Sequence, residues 1–191
     1  MGEDNVQRVL ELHNKYMLSN DEKFADLSGA ELPEADLSGA FLDGVNLKGA
    51  RLGLADFSGA RLFFANLEGA NLYHANLSRA FLADANLAGT ILWDADLRAA
   101  DLRGANLKGA GLMNADLRRA NLYQAHMEGA NLQNADLRGA CLWIEYPLDI
   151  DLENVEPSKP PYLAGAIMPD GKIYDPVFHT IAMLTGWKPL E

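Results

Sequence analysis

A leucine at every fifth residue is the feature that most constrains this chain. From Ala25-Asp26-Leu27-Ser28-Gly29 the pattern runs without insertion or deletion to Ala140-Cys141-Leu142-Trp143-Ile144, 24 units in all. The central residue is Leu in 22 units, with Phe57 and Met127 the exceptions; the residue two before it is Ala in 22, with Val45 and Thr90 the exceptions. A period of five suits neither regular structure. On an α-helix each step turns about 500°, so the leucines smear around the axis, and in a continuous strand they alternate sides. Within one unit, however, Ala and Leu are two apart, and a short extended segment points both the same way. A corner after each unit turns every Ala and Leu toward a common axis, with coils stacked at about 4.8 Å. The expected fold is an all-β solenoid.

The tandem A(D/N)LXX units, such as Ala65-Asn66-Leu67-Glu68-Gly69 and Ala115-Asp116-Leu117-Arg118-Arg119, resemble the pentapeptide repeat family. The resemblance covers 120 of 191 residues. It implies a right-handed quadrilateral β-helix with four units per coil, here about six coils and a rod roughly 29 Å long. Residue chemistry agrees. Ala leaves room for the central Leu, whose burial contributes about 2 kcal/mol before entropy is subtracted. Asn or Asp before the Leu suits a corner where side-chain oxygens satisfy backbone donors. Gly at the fifth position, as in Gly29, Gly69 and Gly109, relieves the next turn.

Three segments are expected. Residues 1–24 read as a capping helix and linker, with Val6, Val9, Leu10 and Met17 on one stripe. Residues 25–144 are the β-helix. Residues 145–191 form a tail: a Pro-rich extended segment to Pro161, a hairpin around Pro169-Asp170-Gly171, and a short helix after Asp175-Pro176. The string Gly165 to Gly171 resembles a segment recurrent in cyanobacterial pentapeptide proteins. The tail is expected to fold back on the last coil around Trp143 and Ile144.

Composition excludes several classes. No run of eighteen apolar residues offers a membrane span, and the acidic start, with Glu3 and Asp4, does not read as a signal peptide, so the cytoplasm is the expected compartment. The single cysteine, Cys141, cannot close an intrachain disulfide, and His13, His74, His126 and His179 show no ligand spacing. His74 and His126 read as solvated imidazoles, and Cys141 as an inert small residue. No phosphate-binding loop, nucleophile elbow or zinc-protease motif occurs. The expectation is therefore no catalytic residue, no cofactor and no metal.

Outward positions recur every twenty residues as columns. Asp36, Asp56, Asn76, Asp96, Asp116 and Asp136 form an acidic ladder, read either as a structural ladder or as a mimic of phosphate spacing; Arg98, Arg118 and Arg138 stand beside its second half. The net charge of −11 disfavours nucleic acid as a direct partner, and the repeats hold only 14 acidic against 10 basic residues. Two columns are apolar. Tyr73, Trp93 and Met113, flanked by Leu54 and Ile91, lie on one face; Phe41, Phe63, Phe64 and Phe81 lie on the opposite one. These seven aromatic and methionine residues are the candidate interaction surface, for an unidentified protein or for the chain's own tail. The sequence thus reads as a non-enzymatic interaction scaffold, a monomer or weak homodimer with no membrane partner. The alternative, implied by resemblance to some family members, is a DNA mimic acting on type II topoisomerase.

Overall fold

The computed structural model describes residues 25–142 and 166–168. The expected helix of residues 1–24, the floor at Trp143 and Ile144, and the Pro-rich segment, hairpin turn and terminal helix of the tail lie outside them.

Each unit is a rung of two or three extended residues followed by a turn. Parallel bridges join residue i to residue i+20 all along the rod, from Asp26 with Asn46 to Asn121 with Cys141. A corner every five residues and a register of twenty give four sides. We name the faces by their units: the first begins at residues 25, 45, 65, 85, 105 and 125, and the second, third and fourth begin five, ten and fifteen residues later. Positions one to five run from the Ala of a unit to its corner residue.

Backbone accounting explains the five-letter pattern. In the unit of residues 45–49, position two donates to the coil before (Asn46 N to Ala25 O, 2.9 Å) and position three to the coil after (Leu47 N to Asn66 O, 2.7 Å). Position five donates to the coil after (Gly49 N to Glu68 O, 2.9 Å), and the next Ala closes the turn (Ala50 N to Leu47 O, 3.0 Å). The fourth amide finds a side chain instead: Lys48 N donates to Asn46 Oδ1 at 3.2 Å, and Ser58 N to Asp56 Oδ1 at 2.7 Å. Asn or Asp at position two is thus an acceptor that the corner requires.

Position five has positive φ at every corner from Gly29 to Asn134 and Gly139, in eleven glycines and twelve other residues. Left-handed φ at the third residue of a four-residue turn is the pattern of a type II turn, which favours glycine. Inside, the position-one alanines and position-three leucines form one continuous core. Phe57 is accommodated at a central position with no exposure, and Thr90 is buried because its hydroxyl donates to Leu67 O at 2.9 Å.

The three described tail residues extend the third face by a rung. Ile167 pairs in parallel with Asp136; its amide donates to Ala135 O at 2.8 Å, and its carbonyl accepts from Leu137 N at 2.7 Å. Ala166 and Met168 are buried where the Ala and Leu of another unit would be. This stretch, expected as one arm of a hairpin, pairs with the rod, because Ala-Ile-Met repeats the small-outward-large order of the units.

Candidate interaction faces

The four faces are chemically unequal. On the first, position two is Asp26, Asn46, Asn66, Asn86, Asn106 and His126. The amides form a ladder: Asn46 Nδ2 donates to Asp26 at 2.8 Å, Asn66 to Asn46 at 3.2 Å, Asn86 to Asn66 at 3.2 Å and Asn106 to Asn86 at 3.0 Å. Every corner of this face is glycine. Position four carries two pairs of opposite charge, in which Lys48 meets Glu68 at 3.1 Å and Lys108 meets Glu128 at 3.6 Å.

The third face carries the acidic ladder, and it is neutralised in its second half. Arg98, Arg118 and Arg138 each chelate the aspartate two residues before, at 2.6, 2.6 and 2.5 Å, and Arg98 and Arg118 also approach the aspartate of the following coil at 3.7 and 3.8 Å. Burial pulls the Asp96 carboxyl upward, but the Arg98 hydrogen bonds and charge outweigh it, and the group stays below its ordinary value. The Arg138 hydrogen bond likewise holds Asp136 low. In the first half Ser38 Oγ donates to Asp36 at 2.7 Å, and Asn76 Nδ2 donates to Asp56 at 3.1 Å.

The second and fourth faces break the pattern at position two, with Glu31, Arg51, Ile91 and Gly111 on one and Phe41, Arg61, Phe81 and Cys141 on the other. Here lie the six large apolar side chains most open to solvent among the described residues: Phe64 (68%), Phe41 (58%) and Leu54 (56%), then Tyr73, Phe81 and Trp93. Phe63 and Met113, expected on the open surface, are half-buried instead. Phe63 leans on Phe81 with ring centroids 5.8 Å apart. On the second face Tyr73 packs edge-on against His74 at 4.0 Å, and the Trp93 indole lies over Gly111, where a Cβ would stand 2.5 Å from its nitrogen.

The fourth face is organised by a cation that sequence reasoning did not single out. Arg61 pairs with Asp43 at 2.7 Å while its guanidinium lies 5.1 Å from the Phe41 ring centroid and 5.6 Å from that of Phe63. Asp43 Oδ1 also accepts from Phe63 N at 3.2 Å, the amide that Arg61 at position two has no oxygen to satisfy. The signal was available, since Arg61 is the one cation in the position-two column that holds Phe41 and Phe81. Below it Ala83 and Gly104 interrupt columns of larger residues and leave an open groove of about 410 Å³ between Phe63 and Tyr123. Among the described residues no group of His, Cys, Asp or Glu could hold a metal ion, and no helix is long and apolar enough to cross a membrane.

The family model for pentapeptide repeats matches the chain in 8 copies, over residues 23–59, 42–79, 55–94, 80–119 and 110–142, well over half its length. The chain belongs to the pentapeptide repeat family. Members form right-handed quadrilateral β-helices, in keeping with the four-sided register. Similar solved structures include the pentapeptide repeat protein Rfr23 of the cyanobacterium Cyanothece 51142 (29% identity, 63% of this chain and 93% of that one, TM-score 0.39). HetL, involved in heterocyst differentiation regulation in the cyanobacterium Nostoc sp. strain PCC 7120, is 26% identical over 86% of this chain and 98% of its own, with a TM-score of 0.26. A trypsin-treated variant of QnrB1, a plasmid-mediated fluoroquinolone resistance protein, is 18% identical over 87% of this chain and 91% of its own, with a TM-score of 0.45. All three TM-scores are below 0.5, and membership rests on the repeat match. No curated protein matches.

Proposed function

We propose that this pentapeptide repeat protein is a non-enzymatic interaction scaffold that binds a protein partner through its second and fourth faces. The observation that carries the reading is the placement of the six most exposed large apolar side chains among the described residues on those two opposite faces, where every one of their units but that of Tyr73 has given up the corner-satisfying Asn or Asp. Phe41, Phe81 and Ile91 have no side-chain oxygen to offer the amide two residues on. Wetted phenylalanines are the mark of a contact surface. The scaffold acts as a monomer or weak homodimer in the cytoplasm, without nucleic acid or membrane as direct partner.

The competing reading, a DNA mimic directed at type II topoisomerase, requires an unbroken file of negative charge. The chelating arginines at 98, 118 and 138 weigh against it, since a paired carboxylate projects little field.

Affinity capture with the full chain, with Phe41→Ser/Phe81→Ser and with Trp93→Ser, each checked for unchanged melting, tests the scaffold reading. A protein retained by the parent, lost with one face variant and shown to bind directly when purified is the expected result. Captures indifferent to both faces, together with dose-dependent inhibition of gyrase supercoiling, would overturn it.

A further inference from the structure

The groove on the fourth face has a chemistry of its own. Among the described residues this face carries five charged groups: Asp43, Arg61, Asp84, Asp101 and Arg103. Asp43 is satisfied by Arg61 at 2.7 Å. Asp101 chelates Arg103, Nε to Oδ1 at 2.7 Å and Nη2 to Oδ2 at 2.6 Å, so the guanidinium is committed to that carboxylate. Asp84 is left over. Its carboxylate is exposed, makes no hydrogen bond or ion pair among the described residues, and reaches Arg103 only through space. It lies across the backbone of Gly104, where any Cβ would collide with its oxygen. Asp84 lines the groove together with Phe63, Tyr123 and the Asp101-bound Arg103.

One coil earlier the same face shows what such a setting accepts. The Arg61 guanidinium is held by one carboxylate, Asp43, and lies against two phenylalanine rings, Phe41 and Phe63. The groove again brings a carboxylate and two aromatic residues together, here with the carboxylate at the corner, and Ala83 at position four, where Phe63 precedes and Arg103 follows it, leaves space open beside them. A planar guanidinium matches both a carboxylate and a ring face, whereas an ammonium is a strongly hydrated point charge. The chain's charge of −11 draws cationic partners toward it.

We propose that this groove is a receptor for an arginine side chain of a partner protein, with Asp84 pairing the guanidinium and Phe63 and Tyr123 flanking it. The inference rests on the scaffold reading and supplies the chemistry of the partner at the fourth face.

The test is an NMR titration of the full chain with the blocked tripeptide acetyl-Gly-Arg-Gly-amide, following the amides of Ala83 and Gly104. Saturable shifts are expected, with affinity roughly three- to tenfold weaker in Asp84→Asn. Asn adopts positive φ readily, so this variant keeps its corner, which a thermal melt checks. Asp94→Asn, the same charge change at the equivalent corner of the opposite face, should leave the affinity within about twofold, and the matched Lys peptide should bind more weakly than the Arg peptide. Equal loss in both Asn variants, or no saturable shift at Ala83 and Gly104, would reduce the effect to diffuse attraction and overturn the proposal. A captured partner that depends on Phe41 and Phe81 but not on Asp84 would leave the scaffold reading standing and sink this one.

Discussion

The first and third faces keep the pattern and the second and fourth abandon it, on one backbone and around one core. Position two is Asn or Asp at every unit of the first and third faces except His126, whereas the second face keeps only Asn71 and Asn131 and the fourth only Asp101 and Asn121. The corners separate the first face from the second: all six of the first are glycine, and none of the second is, where Glu34, Leu54, His74, Asp94, Asn114 and Asn134 take left-handed φ, while the third and fourth faces mix glycine with other residues. Leu54 and Phe64, at φ of 62° and 58°, are apolar, exposed and strained at once. A residue that adds strain and gains little burial is retained for something other than stability; Leu54 and Phe64 lie on the faces proposed to bind, whereas the strained corners of the third face, Arg79, Ala99 and Arg119, carry no large apolar group.

The largest effect should come from breaking what all faces share. Leu87, fully buried on the first face, has no partner for a carboxylate, so Leu87→Asp should abolish cooperative unfolding in a thermal melt. An intermediate effect should come from exchanging corner chemistry. Gly89 has φ of 64° and open space around a would-be Cβ, so Gly89→Ala isolates backbone strain and should cost about 1 kcal/mol. Phe64→Gly removes the same strain and little burial, so denaturant titration should show a gain of up to about 1 kcal/mol together with loss of partner binding. If Phe64→Gly destabilises, the ring is a packing element and the contrast between faces weakens.

Acid separates the first face from the third. Asp101 and Asp136, on the fourth and third faces, are held below their ordinary value of 3.8 first by hydrogen bonds from Arg103 and Arg138, whereas the amide ladder from Asn46 to Asn106 does not titrate. A carboxyl lowered in the folded state contributes stability above its unfolded value and loses it as pH falls through the folded one. Melting temperature should therefore decline as pH drops below about 3.8, and Asp136→Asn should make that decline shallower. The smallest effect belongs to the exposed cation Lys108, whose 3.6 Å contact with Glu128 is loose and wet; Lys108→Ala should shift stability by less than about 0.5 kcal/mol.

The period of five, with Ala and Leu two apart, determined by itself that the chain is a solenoid with those side chains inside, because no helix or continuous strand buries every fifth residue. The apolar columns needed in addition the four units per coil that the family resemblance implies, which line up Phe and Trp twenty residues apart. Tertiary structure decided how those columns behave. Phe63 and Met113 are half-buried, Trp93 lies over a glycine from the next coil, and Arg61 sits among phenylalanines because its position lies beside position two of the coil before, Phe41, and position four of its own unit, Phe63. Likewise Asp84 is left without an ion pair because Arg103 reaches Asp101 first, and the tail's Ile167 joins the third face. A repeat states which way each side chain faces; which neighbour it meets depends on side-chain length and on the size of the residue one coil away, and those are settled only when the coils stack.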